Sequence, residues 1–308
     1  MSALATLLPV VFMIGLGFVA REKKWVSVEQ KDGANAVIFN LLFPMMIFNI
    51  ILKASVSFSS IYIIGYVFGM YVLAMIVGKL LGKVAGNHAE LVPFLMTTCE
   101  GGSVALPLYL SIVGSSSNTV LYDIAGMGIA FVLIPVIVSK KTAQASDPKA
   151  IVKAILTNSF VIAVILGLGL NLFGFYPWME RTGFAVVYDN IATMVTSPIV
   201  GMILFIIGYN LVIDQRTLVP VMKMLVLRIG FYLMVIAGFF VIFPELMADS
   251  IYKMGVFIYF MSPTGFAIPM LISPLYKNSE DEAFSAGVLS LMMVVTLVVY
   301  VGCVLFIA

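Results

Sequence analysis

The sequence predicts an all-α polytopic membrane protein with ten transmembrane helices in two inverted five-helix repeats, whose broken helices 4 and 9 cross. Three observations predict this fold: the composition, a series of apolar stretches, and a similarity between the two halves. Hydrophobic residues make up 62% of the 308 residues, charged residues only 10%, and the mean hydropathy is +1.13. Soluble domains have about 45–50% apolar and about 25% charged residues. The composition therefore excludes soluble enzymes, nucleic-acid-binding proteins and disordered chains.

Apolar stretches recur along the whole chain and define spans 1 to 10. In order, they cover residues 3–20, 33–52, 60–81, 91–113, 119–138, 154–176, 190–213, 224–243, 251–276 and 283–307. A membrane helix needs about 20 residues, so ten spans use about 200 residues. The rest of the chain suffices only for short connections, which leaves no room for a domain outside the membrane.

The basic residues of the loops predict the orientation. Loops after odd-numbered spans carry 13 of the 17 Lys and Arg residues, and loops after even-numbered spans carry 3. Cytoplasmic loops are enriched in these residues. We therefore expect the odd-numbered loops in the cytoplasm and both termini outside the plasma membrane, which is the inner membrane of the cell.

The most polar connection, residues 139–153, separates a first repeat, 1–138, from a second repeat, 154–308. Each repeat has five spans, and this odd number requires the second repeat to insert upside down, as in many secondary transporters. The repeats also share a short pattern, because span 4 contains EGGSVALPL at 100–108 and span 9 contains SPTGFAIPM at 262–270. Both segments place Ala-aliphatic-Pro-aliphatic after residues rich in Gly, Ser, Pro or Thr.

These two segments predict interrupted helices. Proline removes a backbone donor and blocks the carbonyl one turn earlier, and glycine loosens a helix further. Because unpaired backbone groups are costly in hydrocarbon, such breaks persist only inside protein or beside a wet cavity. Two breaks at matching depth in inverted halves are expected to face each other and bind a solute near the midplane. The alternative is that Pro107 and Pro269 only kink packed helices.

The predicted binding residues lie at the two breaks and on span 2. They are Glu100, Gly101, Gly102, Ser103, Pro107, Ser262, Pro263, Thr264, Gly265 and Pro269 at the breaks, and Asn40 and Asn49 on span 2. The amides of span 2 have an alternative reading as contacts that hold neighbouring helices together.

Three charged residues lie inside predicted spans at least four residues from either end. Glu100 sits beside the break of span 4, where a carboxylate costs roughly 2.5–3.5 kcal/mol even on insertion scales. It is predicted to bind a coupling proton or cation, unless it stays protonated and joins helices by a hydrogen bond. Asp123 lies one turn into span 5 and is read either as a second coupling residue or as a boundary residue. Arg228 is expected to extend from span 8 to the cytoplasmic surface, rather than to pair with a carboxylate or the substrate.

The sequence predicts neither an enzyme nor a metal site. The single histidine, His88, lies in a loop, and Cys99 and Cys303 lie in apolar runs, so no metal cluster or disulfide framework results. The net charge of +2 gives no reason to expect a nucleic-acid partner. The expected partners are a small solute and the lipid bilayer, with a coupling proton or sodium ion in place of a cofactor.

The layout and three segments of the chain resemble the auxin efflux carrier family, which includes plant PIN auxin transporters and bacterial malate and malonate permeases. The similar segments are FNLLFPMMIF at 39–48, EGGSVALPL at 100–108, and residues 261–269. The resemblance implies a scaffold domain of spans 1, 2, 6 and 7, and a transport domain of spans 3–5 and 8–10. It also implies elevator-like movement and a homodimer. The short middle loop is similar to that of bacterial members.

Two positions depart from the family pattern, since Glu100 stands where an Asn is common and Ala105 replaces a Gly. An acid in this place repels an organic anion unless it is protonated or paired with a cation, which points to proton or sodium coupling. The favoured function is a secondary active transporter for a small organic anion, such as a carboxylate. The alternatives are a sodium-coupled carrier similar to bile-acid symporters, and a membrane receptor that does not transport.

Overall fold

The computed structural model of the chain describes residues 3–53, 58–113, 118–142, 157, 159–210 and 216–307, and these residues form helices and connections without a strand. The helices of the first half are α1 (Ala3–Glu22), α2 (Val28–Val37), α3 (Phe43–Lys53), α4 (Phe58–Leu81), α5 (Val92–Met96), α6 (Leu106–Val113), α7 (Asn118–Met127) and α8 (Ile134–Lys141). The helices of the second half are α9 (Ser159–Leu172), α10 (Phe175–Thr182), α11 (Phe184–Tyr209), α12 (Leu218–Ile242), α13 (Pro244–Ala248), α14 (Ser250–Phe260), α15 (Ala267–Ile272) and α16 (Ser279–Phe306).

The described residues confirm an all-helical polytopic membrane protein. Six continuous helical segments are long and apolar enough to cross a membrane, and the pair α9 and α10, bent by 64°, gives up to seven. These segments correspond to the predicted spans 2, 3, 5, 6, 7, 8 and 10. Span 1 corresponds to the 20-residue helix α1, and spans 4 and 9 are interrupted. The total of ten spans and the inverted relation of the halves stay predictions.

Short π-helical turns join several helices into longer spans. Segments Ile38–Leu42 and Gly128–Leu133 connect α2 to α3 and α7 to α8. Each π-helical turn adds one residue to the turn of the helix and precedes a proline, Pro44 or Pro135. The carbonyl four residues before this proline has no N–H to bond. Spans 2 and 5 are therefore continuous despite their prolines.

Three spans begin at least five residues earlier than their apolar residues predict. One of them is span 7, which starts at Phe184 rather than residue 190. Span 2 starts at Val28 rather than residue 33, because Ser27 and Gln30 form a reciprocal capping box. Span 8 starts at Leu218 rather than residue 224. The shift of span 2 extends the helix into largely polar residues, which hydropathy alone assigns to the loop. The residues added to span 8 are apolar up to Lys223. Most of the predicted middle loop, from residue 143 onward, lies outside the described residues.

Close backbone contacts hold the first group of helices together. Helix α1 packs along α11, and α3 packs against α9 and α11. A β-carbon on Gly17 would collide with the backbone of Phe205, and one on Gly208 with the backbone of Ile14. Glycine at these two positions lets α1 and α11 approach to backbone contact.

The remaining helices pack mainly among themselves, with α4 against α5 and α7, and α12 against α14 and α16. Their ends are joined by ion pairs at one end of the molecule. Glu90 contacts Lys141 and Lys277, each at 3.2 Å, and His88 contacts Asp281 at 2.6 Å. The loops after spans 3, 5 and 9 thus meet at the same end, as their shared odd number requires. The division into scaffold and transport domains stays a prediction.

Candidate functional site

Span 4 is broken at residues 97–100, between α5 and a π-helical turn at Gly101–Ala105 that leads into α6. Pro107 has no N–H, so the carbonyl four residues earlier lacks its usual helical partner. This carbonyl lies within the π-helical turn. Thr98 adopts a φ of 51°, a left-handed conformation that residues other than glycine rarely take. The predicted interruption is therefore present and lies just before the proline.

Span 9 is broken at residues 261–266, between α14 and α15. Pro263 lies within the break, and Pro269 is the third residue of α15, where its missing N–H costs no helical hydrogen bond. One freed carbonyl, that of Met261, accepts a hydrogen bond from the Thr296 hydroxyl at 2.7 Å. This break too is satisfied by neighbouring protein groups, as a chain inside a membrane requires.

The two breaks lie directly against each other and are joined by hydrogen bonds. The backbone N–H of Glu100 donates to the Pro263 carbonyl at 2.7 Å, and the Thr264 hydroxyl donates to the Thr97 carbonyl at 2.8 Å. The Gly265 N–H donates to the Thr98 hydroxyl at 3.3 Å. Spans 4 and 9 therefore cross at their interruptions, and we name residues 97–102 and 261–266 the crossing.

The carboxylate of Glu100 is half-buried in the crossing and accepts a hydrogen bond from the backbone N–H of Phe266. A β-carbon built on Gly265 would lie 3.9 Å from the same carboxylate oxygen, Oε2. The side chain of Glu100 thus spans from one interrupted helix to the other. A carboxylate that accepts a backbone N–H is stabilised in its charged form.

Asp123 of α7 also reaches the crossing. Its carboxylate lies so close to Gly101 that a β-carbon at this position would collide with it. Oδ1 accepts a hydrogen bond from the Tyr259 hydroxyl at 2.9 Å, and Tyr259 in turn accepts one from the Tyr71 hydroxyl at 3.0 Å. Oδ2 has no hydrogen-bond partner among the described residues. Asp123 is only 8% exposed, so its carboxylate is buried in protein. Whether it is a coupling residue or a boundary residue stays a prediction.

Arg228 lies at the crossing, and the expectation that it extends to the cytoplasmic surface is wrong. Because α12 begins at Leu218, Arg228 is ten residues, or about 15 Å, inside the helix. Its side chain is fully buried and donates to the carbonyls of Leu95, Met96, Thr98 and Ser262 at 2.7–3.2 Å. The Tyr232 hydroxyl donates to the carbonyl of Met96 at 3.0 Å.

The other predicted residues are divided between the crossing and its surroundings. Gly102 contacts Phe43, since a β-carbon on this glycine would collide with the phenyl ring. Ser262 is buried and its hydroxyl has no hydrogen-bond partner among the described residues. Pro107 is buried at the start of α6. For Ser103 the backbone lies in the π-helical turn, and the side chain is outside the described part.

The two asparagines of span 2 are not placed at the crossing by any described contact. Asn40 is exposed. Asn49 is half-buried, and its Oδ1 has no hydrogen-bond partner among the described residues. From this part of the chain Phe43 reaches span 4 at Gly102.

Hydropathy and proline motifs missed four residues that contact the crossing: Arg228, Tyr71, Tyr232 and Tyr259. The tyrosines read as apolar in a membrane span, and their hydroxyls find partners only when distant helices pack together. Among the described residues no group of three His, Cys, Asp or Glu side chains is arranged to hold a metal ion. What converges on the crossing is a guanidinium, two carboxylates and the hydroxyls of threonine, serine and tyrosine.

A comparison with known families matches residues 2–152 to the model of a family described as membrane transport protein. These residues include the break of span 4, Glu100 and Asp123. A comparison with curated proteins finds no match. The family match supports the resemblance to the auxin efflux carrier family and, with the apolar helices, indicates that the chain is a multi-pass membrane transporter.

Proposed function

We propose that the protein is a secondary active transporter that moves a small organic anion across the plasma membrane by alternating access around the crossing. One observation carries this proposal: two interrupted membrane spans from opposite halves of the chain lie against each other and bond through their breaks. Secondary transporters bind substrate and coupling ion at such interrupted helices near the midplane. We further propose that both termini lie outside and that the protein is a homodimer.

The movement we propose is elevator-like. Spans 3–5 and 8–10 carry the crossing, while spans 1, 2, 6 and 7 form the scaffold. The contact of Phe43 with Gly102 lies between these groups, so the ring of Phe43 must slide past the crossing during transport. The close backbone contacts of α1 with α11, which involve Gly17 and Gly208, lie within the scaffold group and suit a part that stays fixed.

Electrostatics determine when an organic anion can bind. Arg228 contributes one positive charge to the crossing, and the carboxylates of Glu100 and Asp123 contribute two negative charges when both are ionised. An anion would then meet net negative charge in a region of low dielectric constant. A proton or Na⁺ bound with the substrate cancels this excess. Cation cotransport, with Glu100 as the coupling carboxylate, is therefore the arrangement that we propose.

Uptake into proteoliposomes tests this function. The purified protein is reconstituted with internal malate or malonate, and counterflow of the labelled acid is measured over a pH series with Na⁺ or choline. We expect counterflow in the wild type and, for Glu100→Gln, flux whose pH or Na⁺ dependence is altered. Glu245→Gln is the control, because Glu245 is exposed and lies on the short helix α13.

Two results contradict the proposal. Binding of the acids without counterflow would favour a receptor that does not transport. Unchanged pH and Na⁺ profiles in Glu100→Gln would remove the coupling role of this carboxylate while leaving transport in place.

A sodium-coupled symporter of the bile-acid type is the second candidate. The observation that favours it is a pair of buried oxygen atoms, Asp123 Oδ2 and Ser262 Oγ, that lack hydrogen-bond partners among the described residues. Hard cations such as Na⁺ prefer oxygen ligands of this kind. Counterflow that requires Na⁺ and is indifferent to pH would support this candidate.

A further inference from the structure

The carbonyl groups freed by the two breaks converge on one side chain. The guanidinium of Arg228 donates hydrogen bonds to the carbonyl oxygens of Leu95 and Met96 at 2.8 Å and to that of Thr98 at 2.7 Å. It also donates to the carbonyl oxygen of Ser262, from the other break, at 3.2 Å. These groups lie at or just beyond the carboxyl ends of α5 and α14. The carbonyl side of the crossing is therefore closed by one arginine.

Unwound carbonyls and half-helix carboxyl ends are the groups that coordinate Na⁺ in transporters with interrupted helices. They carry partial negative charge, since the last carbonyls of a helix lack partners. A guanidinium keeps its proton in proteins and offers five N–H donors in a fixed plane. Arg228 is fully buried, and a buried charge is tolerated only with such partners. Arg228 thus supplies the positive charge that balances the partial negative charge of these carbonyls.

The two acids contact the crossing elsewhere than at the carbonyls that Arg228 bonds. Glu100 accepts the N–H of Phe266, which immediately precedes α15. Asp123 lies against Gly101, the first residue of the helical segment that continues through α6. Asp123 Oδ2 is buried without a hydrogen-bond partner among the described residues, so the acid pair keeps an oxygen available to a ligand.

We propose that Arg228 is a resident cation that permanently occupies the carbonyl side of the crossing, so that the coupling ion binds elsewhere, at Glu100 and Asp123. This inference rests on the proposed transport function and adds the location of its ion. The ion is a proton or Na⁺, both of which a carboxylate pair takes up. A metal ion at the carbonyls is excluded while Arg228 is present, because the two would compete for the same oxygen atoms.

Other titratable groups lie near the acid pair and are common to both carboxylate variants described below. Tyr71 on α4 and Cys99 in the break of span 4 interact with Asp123, and the Tyr259 hydroxyl on α14 bonds it. Arg228 on α12 contacts Cys99. The substitutions therefore change one carboxylate at a time in an otherwise constant environment.

Chemical rescue tests the resident cation. Arg228→Ala leaves a buried cavity lined by carbonyls, and we expect the melting temperature of the purified protein to fall by roughly 10 °C. Methylguanidinium at millimolar concentration is expected to recover part of this loss, whereas choline at the same concentration is not. Arg181→Ala is the matched control, because Arg181 is exposed and, among the described residues, donates to the carbonyl of Pro177 in its own helix.

If Arg228→Ala does not fold, Arg228→Lys provides the same test with the charge retained. A lysine reaches fewer carbonyls, so we expect a smaller fall in melting temperature and a gain from methylguanidinium smaller than for the alanine variant. Folded variants whose melting temperature responds equally to methylguanidinium and choline would overturn the role of Arg228.

Thermal shifts with cations locate the coupling ion. The melting temperature of the wild type is measured from pH 5 to pH 8 in sodium chloride and in choline chloride. We expect low pH or Na⁺ to raise the melting temperature of the wild type, and this rise to be lost in both Glu100→Gln and Asp123→Asn. A rise that depends on pH identifies the ion as a proton, and a rise that depends on Na⁺ identifies it as sodium. Stabilisation by Na⁺ that survives in both variants would place the ion elsewhere and overturn the proposal, as would a wild type that responds to neither cation.

These measurements need no flux across a membrane. A protein that shows the expected rescue and ion shifts but no counterflow would disprove transport while preserving the ion site. Conversely, counterflow with ion shifts that persist in both carboxylate variants would preserve transport and disprove the ion site.

Discussion

Removal of the Tyr259 hydroxyl, a single oxygen atom, tests the geometry of the crossing. This hydroxyl donates to Asp123 Oδ1 at 2.9 Å and accepts from Tyr71 at 3.0 Å. Because Asp123 Oδ2 has no partner among the described residues, Tyr259→Phe leaves the buried carboxyl group without this support. A hydrogen bond to a charged group contributes about 1.5–3 kcal/mol, and one between neutral groups about 0.5–1.5 kcal/mol. We expect the free energy of unfolding to fall by about 2 kcal/mol.

Tyr122→Phe is the matched control for this prediction. Tyr122 is also fully buried and packs edge-to-face on Tyr259 with a centroid separation of 4.8 Å. Its hydroxyl makes no hydrogen bond within the described part of the chain. Removing it deletes an atom of the same kind from the same aromatic cluster without breaking a bond, so a change below about 0.5 kcal/mol is expected.

Equilibrium unfolding of both variants in the same detergent micelles, followed by tyrosine-sensitive near-UV circular dichroism and by far-UV signal, gives the two free energies. If the two variants agree within about 0.5 kcal/mol, the Tyr259 hydroxyl does not bond a charged carboxyl group, and the placement of Asp123 against the crossing loses its main support.

Two further predictions concern the ends and the scaffold contacts of the helices. The two lysine partners lower the pKa of Glu90 below its ordinary value of 4.5, so its ion pairs stabilise the fold above that pH and cease to do so as the pH falls further. Glu90→Gln should therefore lower the melting temperature at pH 7 by an amount equivalent to less than about 1 kcal/mol, and leave it unchanged near pH 3. An equal fall in melting temperature at both pH values would show that charge is not involved. Gly208→Ala forces a β-carbon into the backbone of Ile14 and should lower the free energy of unfolding by about 1–3 kcal/mol. In the control Gly230→Ala the β-carbon meets open space, so this free energy should stay the same or rise. Similar results for the two variants would mean that α1 and α11 do not pack this closely.

The position of both breaks follows from local sequence. Pro107, Pro263 and Pro269 remove backbone donors, and adjacent Gly, Ser and Thr residues tolerate irregular backbone, so the interruption needs no knowledge of distant contacts. Hydropathy likewise located the long spans. The early start of span 2 was missed because a window of apolar residues does not register a capping box.

The roles of Arg228 and Asp123 depend on contacts between residues far apart in the chain. Arg228 bonds residues more than 30 positions away, from Leu95 to Ser262. Whether such a side chain extends to the surface or is buried depends on where its helix begins and on whether carbonyls elsewhere are freed to receive it. Similarly, the contact of Asp123 with Gly101 depends on the packing of α7. Sequence patterns carry neither piece of information.

The charges at the crossing follow the polarity of the interrupted helices. Positive charge from Arg228 meets the carboxyl ends of α5 and α14, and the carboxylates of Glu100 and Asp123 meet backbone that begins a helix. Since the fixed charges leave an excess of one negative charge when both acids are ionised, binding of a single cation makes the site neutral. Movement of a charged site through hydrocarbon is costly. A bound organic anion adds its own negative charge, so the loaded crossing needs one further cation for each charge of the solute to stay neutral. This requirement gives coupling an electrostatic cause.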